Sequence, residues 1–113
     1  MNQRDAIHYI ATRQEFQASA LSGRFERFTP QSGRLDPEEQ AVLAKWAGGI
    51  GGLYVVYSYG TPIAWNSLDG WYVVSQKFSQ TTSKHQNLTR RAIAEMLENA
   101  KQWYYTQSQK SLN

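Results

Sequence analysis

Cysteine is absent from this chain of 113 residues. Its absence excludes a disulfide-stabilised scaffold and every metal site that depends on thiolate ligands. Long apolar runs are absent too, because no stretch approaches the roughly 18 residues that a membrane-spanning helix needs. The first residues, Asn2 to Asp5, lack the basic patch and the apolar run of a secretory signal. We therefore expect a cytoplasmic protein with no membrane partner.

Patterns of catalytic and metal-binding residues are also scarce. The two histidines, His8 and His85, lie far apart in the sequence, and neither has the spacing of a metal ligand. Ser83 lies close to His85, but no carboxylate has a clear reason to complete a catalytic triad. We therefore predict no catalytic residue, no metal ion, no cofactor and no enzyme activity. An enzyme with an unrecognised site is kept as the third hypothesis for the function.

The size and composition of the chain indicate one folded domain. Its length is close to the commonest domain size, and it is too short for two independent cores. Hydrophobic residues make up 41% and charged residues 19%, which is not the composition of a disordered chain. We predict a single domain over residues 1–113, with residues 106–113 as a frayed tail.

Short turns between strand-forming runs predict an antiparallel sheet. Residues 53–59, 63–66 and 71–76 are rich in β-branched and aromatic side chains. The connections between these runs contain glycine and are too short for parallel pairing, so the sequence predicts a three-stranded meander. Residues 23–28 alternate as a short strand would, but serine, glycine and proline interrupt the surrounding segment.

Helical periodicity and capping residues predict helices on both sides of this meander. A short helix over residues 3–14 has Asn2 as its cap, and a second helix begins at Pro37. Ser83 and Gln86 match a capping box at the start of a long last helix. The fold class is therefore α+β: a three-stranded antiparallel meander packed against a long C-terminal helix, with short N-terminal helices. The residues expected in the core include Trp46, Ile63, Val73, Leu88, Ala92, Met96 and Ala100.

One long stretch without acidic residues gathers basic residues near the start of the last helix. Between Gly70 and Ala94 the chain has four Lys or Arg residues and no Asp or Glu. A helix N-terminus attracts anions through its free N–H groups and its dipole. Hydroxyl residues are also the ordinary way to start a helix, so capping alone is the competing interpretation. The candidates for binding an anion or a nucleic acid are Lys77, Thr82, Ser83, Lys84, His85, Arg90 and Arg91.

Aromatic side chains are concentrated in the predicted strands. Rings on a sheet with basic side chains nearby can stack on single-stranded bases, whereas rings that fill a core or pair across strands need no ligand. The candidates for an exposed aromatic surface are Tyr54, Tyr57, Tyr59 and Trp71. The glycine run at residues 48–52 follows a helix and precedes a strand, which is the reverse of a phosphate-binding loop. It is interpreted as a helix end and a flexible link.

Two segments resemble a known group of proteins. Residues 56–65, VYSYGTPIAW, and residues 77–86, KFSQTTSKHQ, are together similar to a family of small uncharacterised proteins. That family occurs in bacteriophages and in bacterial genomes that carry mobile elements. The resemblance implies a phage or prophage origin and assigns no catalytic or binding residue.

The resemblance and the residues lead to an ordered set of functional hypotheses. The resemblance implies a non-enzymatic accessory protein in the host cytoplasm that binds a host or phage macromolecule. We expect that partner to be a protein or a nucleoprotein, for example host-defence or regulatory machinery. The alternative is direct binding of nucleic acid through the basic segment 77–91.

Overall fold

Within residues 1–111 the chain forms three helices and five strands, with the helices packed around one antiparallel sheet. The structure is a computed structural model that describes residues 1–111, with side chains described for residues 1–103. The elements are α1 (Gln3–Ala11), β1 (Phe16–Ala18), β2 (Leu21–Glu26), α2 (Pro37–Ala47), β3 (Leu53–Ser58), β4 (Thr61–Ser67), β5 (Gly70–Val73) and α3 (Gln80–Ser111).

The sheet of the described chain has five strands, two more than predicted. They lie in the order β1-β2-β3-β4-β5, and every neighbouring pair is antiparallel. The prediction of three strands was therefore wrong, whereas the antiparallel meander of β3, β4 and β5 is confirmed. The two additional strands lie in the segment where serine and glycine interrupt the strand pattern of the sequence.

Gly23 shows why that segment forms a strand despite its glycine. It lies inside β2, where it pairs with Phe16 of β1 and with β3. A Cβ atom at this position would collide with the Tyr54 hydroxyl and would lie 2.7 Å from Phe16 Cε1. Close packing of β2 against two aromatic side chains therefore requires the glycine, and no turn is involved.

A tight turn joins β3 to β4. Tyr59 and Gly60 have positive φ angles of 51° and 78°, as the central residues of a type I′ hairpin turn require. Glycine adopts this conformation freely, whereas a tyrosine there is strained by roughly 1–2 kcal/mol. The turn places the ring of Tyr59 beside α3, with its centroid 6.4 Å from that of the His85 ring.

Helices cover both faces of the sheet, which accounts for the unbroken burial of β3. α1 and α3 pack on one face around Ile10, Tyr54 and Val56. α2 packs on the other face, where Leu43 and Val55 belong to a second core. Alternate residues of β3 therefore enter two different cores. The predicted packing of the last helix across one face is confirmed, and α2 additionally covers the second face.

α3 begins at Gln80, which is earlier than predicted. Ser79 rather than Ser83 caps the helix, because the Ser79 hydroxyl accepts a hydrogen bond from the N–H of Thr82 at 3.3 Å. The Gln86 side chain does not reach back to the cap. It donates instead to the backbone oxygens of Val74 and Gln76, just beyond the end of β5, at 2.7 Å and 3.2 Å. The predicted capping box was wrong because Gln86 is buried and satisfies the buried carbonyl group of Val74.

One side of the first half of α3 is buried, whereas residues 97–103 of the second half are exposed. Leu88 and Ala92 are buried as predicted, whereas Met96 is half-buried and Ala100 is exposed. A helix of 32 residues is about 48 Å long, whereas a strand of six residues spans only about 20 Å. The second half therefore extends beyond the sheet, which is why the predicted burial of Ala100 was wrong. Of the other predicted core residues, Ile63 is buried, and Trp46 and Val73 are half-buried.

The C-terminal tail continues this helix. Residues 106–111 belong to α3, and residues 112–113 lie outside the described residues. Fraying of the tail and the organisation as a single domain stay predictions. Across residues 1–111, no helix is both long enough and apolar enough to cross a membrane.

Candidate functional site

A buried polar cluster joins the start of α3 to the end of β3. Thr82 Oγ1 accepts hydrogen bonds from the hydroxyls of Ser58 and Ser79, at 3.1 Å and 3.3 Å. Ser58 Oγ is also hydrogen-bonded to His85 Nδ1, at 2.7 Å. Ser58 and Thr82 are both buried, so the hydrogen bonds of this cluster hold the start of α3 against β3. Burial also withdraws Thr82, a predicted anion-binding residue, from any ligand at the surface.

The contact between Ser58 and His85 has the composition of a nucleophile and a general base. Ser58 has no exposed surface, so a substrate has no path to its hydroxyl in this conformation. Burial lowers the pKa of His85 from its usual value, so the ring is neutral at neutral pH. The geometry therefore supports an anchoring role for the pair. In the part of the chain that is described, no cluster of His, Asp and Glu side chains is placed to hold a metal ion.

The N-terminus of α3 has fewer free hydrogen-bond donors for an anion than the sequence predicts. The N–H of Thr82 is bound to the Ser79 hydroxyl, and the N–H of Ser83 donates to the backbone oxygen of Ser79 at 2.9 Å. The Ser83 bond is the ordinary first hydrogen bond within the helix, so one of the donors that a helix start leaves free, the N–H of Thr82, is satisfied by the cap. Ser83 itself is half-buried, and neutral His85 adds no positive charge.

The predicted basic residues are exposed, but they do not converge on one place. Lys77 lies in the connection between β5 and α3, and the other three lie on α3. Lys84 and Arg91 are nearly two helical turns apart, so they share one side of α3 at about 10 Å separation. Arg90 points about 120° away from Lys84. Arg91 lines a small recess together with Arg4 of α1.

The predicted aromatic surface is mostly internal. Tyr54 and Tyr57 are buried, and their hydroxyls donate to a backbone carbonyl and to a carboxylate, each at 2.7 Å. Trp71 is half-buried and meets Tyr54 edge-on, with ring centroids 6.0 Å apart. Tyr59 is exposed on its turn. Tyr54 and Tyr57 are therefore unavailable for stacking on a ligand, because helices cover both faces of the sheet.

A different surface gathers the most exposed aliphatic side chains of the described chain. Ile50, between α2 and β3, and Leu68, between β4 and β5, are each 91% exposed. Both side chains line two adjacent depressions of about 360 Å³ and 460 Å³. Phe25 lines the first depression and Trp46 lines the second. We call this surface the loop end and define it by Phe25, Trp46, Ile50 and Leu68.

Hydrogen bonds fix the turn that carries Leu68. The side-chain N–H of Asn66 donates to the backbone oxygen of Gly70 at 3.1 Å, and Asn66 Oδ1 accepts from Arg13 Nη1 at 3.2 Å. Leu68 is therefore held outward by a turn of defined shape. Arg13 lines the first depression, and Lys45 lines the second together with one aspartate, so the apolar centre has a charged rim.

Two signals in the sequence point to the loop end, although the sequence analysis did not single it out. Ile50 is an apolar residue between two pairs of glycines, and Leu68 is an apolar residue inside a tight turn. Turn positions are ordinarily polar, and these two apolar side chains lie outside the core. The two residues are brought together only by the pairing of β3 with β4.

Comparison with known proteins gives one match. No curated protein and no solved structure matches the chain. Residues 31–95 match one protein family, and this range includes Ile50, Leu68 and the polar cluster of Ser58 and His85. Because the match covers more than half of the 113 residues, the chain belongs to that family, which is described as Family of unknown function (DUF8033).

Proposed function

We propose that this protein is a non-enzymatic accessory protein that binds a protein or nucleoprotein partner through the loop end. The observation that carries the proposal is the pair of Ile50 and Leu68, each 91% exposed beside the two depressions. Removing such an aliphatic side chain from water contributes about 1.5–3 kcal/mol. A partner that covers both side chains gains this free energy, whereas the isolated chain gains nothing from exposing them.

The shape and chemistry of the loop end suit a protein partner. An apolar centre with a charged rim is the usual anatomy of a protein–protein interface. Trp46, beside the second depression, is of a residue type that often dominates the binding energy. A phosphate backbone requires a dense set of cations, whereas the depressions offer Arg13 and Lys45 beside one aspartate.

We further propose a phage or prophage origin, with a partner in host-defence or regulatory machinery in the host cytoplasm. Support comes from the motifs VYSYGTPIAW and KFSQTTSKHQ, which both lie inside the family-matched residues 31–95. The first motif supplies Ser58 and the second supplies His85, which are hydrogen-bonded to each other. The two motifs therefore act as one structural unit, and the resemblance rests on both together.

Affinity capture from a bacterial lysate tests the proposal. The tagged wild-type chain is compared with the double variant Ile50→Ser, Leu68→Ser, with and without nuclease. Both side chains are exposed, so the variant should fold normally. Phe28→Ser is the matched control, because Phe28 is 83% exposed and lines neither depression. We expect a nuclease-resistant protein with the wild type and the control, and its absence with the double variant.

Two results would contradict this proposal. Equal capture by the wild type and by the double variant would show that the loop end is not the contact surface. Capture of nucleic acid with no accompanying protein would show that the ligand belongs to another class.

Direct binding of nucleic acid is the second candidate, supported by the side of α3 that Lys84 and Arg91 share. Replacing both with alanine should weaken binding and should flatten the salt dependence by about one unit of slope for each phosphate that is no longer neutralised. Arg90→Ala is the matched control, because Arg90 points about 120° away from Lys84. Fluorescence anisotropy with DNA and RNA over a salt series measures the effect. Binding that is equal in all variants, or independent of salt, would contradict this candidate.

A further inference from the structure

We propose that Arg13, on the rim of the loop end, binds a carboxylate side chain of the partner, next to an apolar side chain that enters the first depression. This depression has a volume of about 360 Å³. The inference rests on the function proposed above, because it concerns the same surface. It adds the chemistry that the surface recognises, which is a protein segment with an acidic residue beside an apolar one.

The backbone holds Arg13 in a fixed conformation just after α1. The N–H of Arg13 donates to the backbone oxygen of Ile10 at 3.0 Å, and the N–H of Gln14 donates to that of Tyr9 at 2.8 Å. These two bonds form the Schellman motif, in which glycine is the usual residue at the position of Arg13. Arg13 has the positive φ that the motif needs, 54°, although a residue with a Cβ atom is strained there. The motif therefore fixes the point from which the side chain of Arg13 extends.

A hydrogen bond positions the guanidinium group of Arg13 at the first depression. Arg13 Nη1 donates to Asn66 Oδ1 at 3.2 Å, and the side-chain N–H of Asn66 is itself bound to the backbone oxygen of Gly70. Arg13 and Asn66 both line the first depression. A guanidinium group has five N–H donors, and the bond to Asn66 uses one of them. The group is therefore held in place before a ligand arrives, which lowers the entropy cost of binding.

The charge of Arg13 is not balanced within the first depression. Among the residues whose side chains are described, no Asp or Glu forms an ion pair with Arg13, and Glu15 does not line the depression. The second depression differs, because the charges of Lys45 and Asp69 balance there. A carboxylate is the group that a guanidinium binds best, through charge-assisted and often paired hydrogen bonds. The first depression therefore favours a ligand with a carboxylate.

Apolar side chains share the first depression with Arg13. Phe25 lines the first depression, and Ile50 and Leu68 line both depressions. A bound segment that fills the first depression with an apolar side chain therefore continues across Ile50 and Leu68 into the second. The carboxylate then belongs to an acidic side chain within the segment and not to a chain end. One charged group that orients a ligand beside apolar walls is the usual composition of a binding pocket.

Selection from a library of random peptides, displayed with the C-terminus joined to the carrier, tests the proposal. The wild type, Arg13→Gln and the double variant Ile50→Ser, Leu68→Ser serve as full-length baits. The chain has a formal net charge of +3, so acidic peptides gain some affinity from charge alone. Arg27→Gln is therefore the matched control, because Arg27 is exposed and does not line the first depression. We expect the wild type and the control to enrich peptides with Asp or Glu beside an apolar residue, and Arg13→Gln to enrich apolar peptides without this acid.

A double-mutant cycle then measures the contact itself. One peptide selected on the wild type is compared, by fluorescence anisotropy, with the same peptide in which the matching amide replaces its acidic residue. We expect this replacement to weaken binding by about fivefold for the wild type and by less than about twofold for Arg13→Gln. Arg13→Gly should behave like Arg13→Gln, and glycine suits the positive φ, so the backbone keeps its shape.

Several results overturn the proposal. They are a selection that yields no peptide, acid enrichment that persists with Arg13→Gln or falls equally with Arg27→Gln, binding that survives in the double variant, and an amide replacement that weakens binding equally for the wild type and Arg13→Gln. Peptides that need Ile50 and Leu68 but carry no acid overturn this inference and leave the proposed function standing. Acidic peptides that depend on Arg13, combined with equal lysate capture by the wild type and the double variant, overturn the proposed function alone.

Discussion

At the scale of single residues, the space around the backbone decides which glycines the fold requires. In β2, the Tyr54 hydroxyl and the Phe16 ring fill the position that a Cβ atom of Gly23 would occupy. Gly48, directly after α2, has a φ of −75°, and the nearest atoms to such a Cβ are two backbone oxygens at 3.6 Å. A methyl group therefore fits at Gly48 and does not fit at Gly23.

Gly23→Ala is expected to lower the free energy of unfolding by about 1–3 kcal/mol, because the added methyl group overpacks the core. Gly48→Ala is the matched control and should stabilise by about 0.4–1 kcal/mol, because alanine restricts the unfolded chain. Urea unfolding of the two variants measures the difference. Equal stabilities would contradict the close packing of β2 against Tyr54 and Phe16.

His85 should make the stability depend on pH below neutrality. Burial lowers the pKa of His85 in the folded chain, so the unfolded chain binds more protons below its own pKa of about 6.5. The contribution to stability is complete above that unfolded value and is lost as the pH falls through the lowered folded value. The free energy of unfolding should therefore drop between about pH 7.5 and pH 5.5, and it should drop less in His85→Gln.

His8→Gln is the matched control for this measurement, because His8 is an exposed side chain on α1. Urea unfolding at the two pH values gives the difference for each variant. A pH dependence that is the same in His85→Gln and in the wild type would show that burial of His85 beside Ser58 does not control the titration.

At the scale of elements, the two halves of α3 have different environments. Leu88 is buried in the core that α3 shares with α1, whereas Leu97 is 60% exposed. Leu88→Ala should lower the free energy of unfolding by about 2–5 kcal/mol. Leu97→Ala should change it by less than about 0.5 kcal/mol, because the side chain of Leu97 is mostly exposed. Similar losses of stability in both variants would mean that Leu97 is packed as closely as Leu88.

Element boundaries that have a local cause were predictable from the sequence. Asn2 Oδ1 accepts the N–H of Asp5 at 2.9 Å, so the cap of α1 is confirmed, and α2 begins at Pro37 as predicted. The start of α3 was not predictable in this way. Several hydroxyl residues close together suit a cap there, and the burial of Thr82 against Ser58 selects the first of them. That contact joins β3 to α3, which are distant in the sequence, so no local pattern predicts it.

Contacts between distant segments explain what else the sequence did not predict. Residues 23–28 alternate as a strand does and overlap β2, but the requirement for glycine at position 23 comes from the rings of Phe16 and Tyr54, which no local pattern reveals. Helical periodicity identified the apolar side of α3 but not what covers it, so Ala100 was predicted to be buried. The exposure of the basic residues followed from their charge, whereas their spread around α3 follows from the helical geometry.

At the scale of the whole molecule, an apolar surface is open to contacts with other chains. This surface is the loop end, which is built by the connections between α2 and β3 and between β4 and β5.

The affinity of the captured partner for loop-end variants tests the central claim most directly. Titration calorimetry with the purified partner compares the wild type, the double variant Ile50→Ser, Leu68→Ser, and the control Phe28→Ser. We predict that the double variant loses about 2 kcal/mol or more of binding free energy, roughly thirtyfold in Kd, while the control stays within about twofold of the wild type. A double variant that binds as tightly as the wild type would contradict the account.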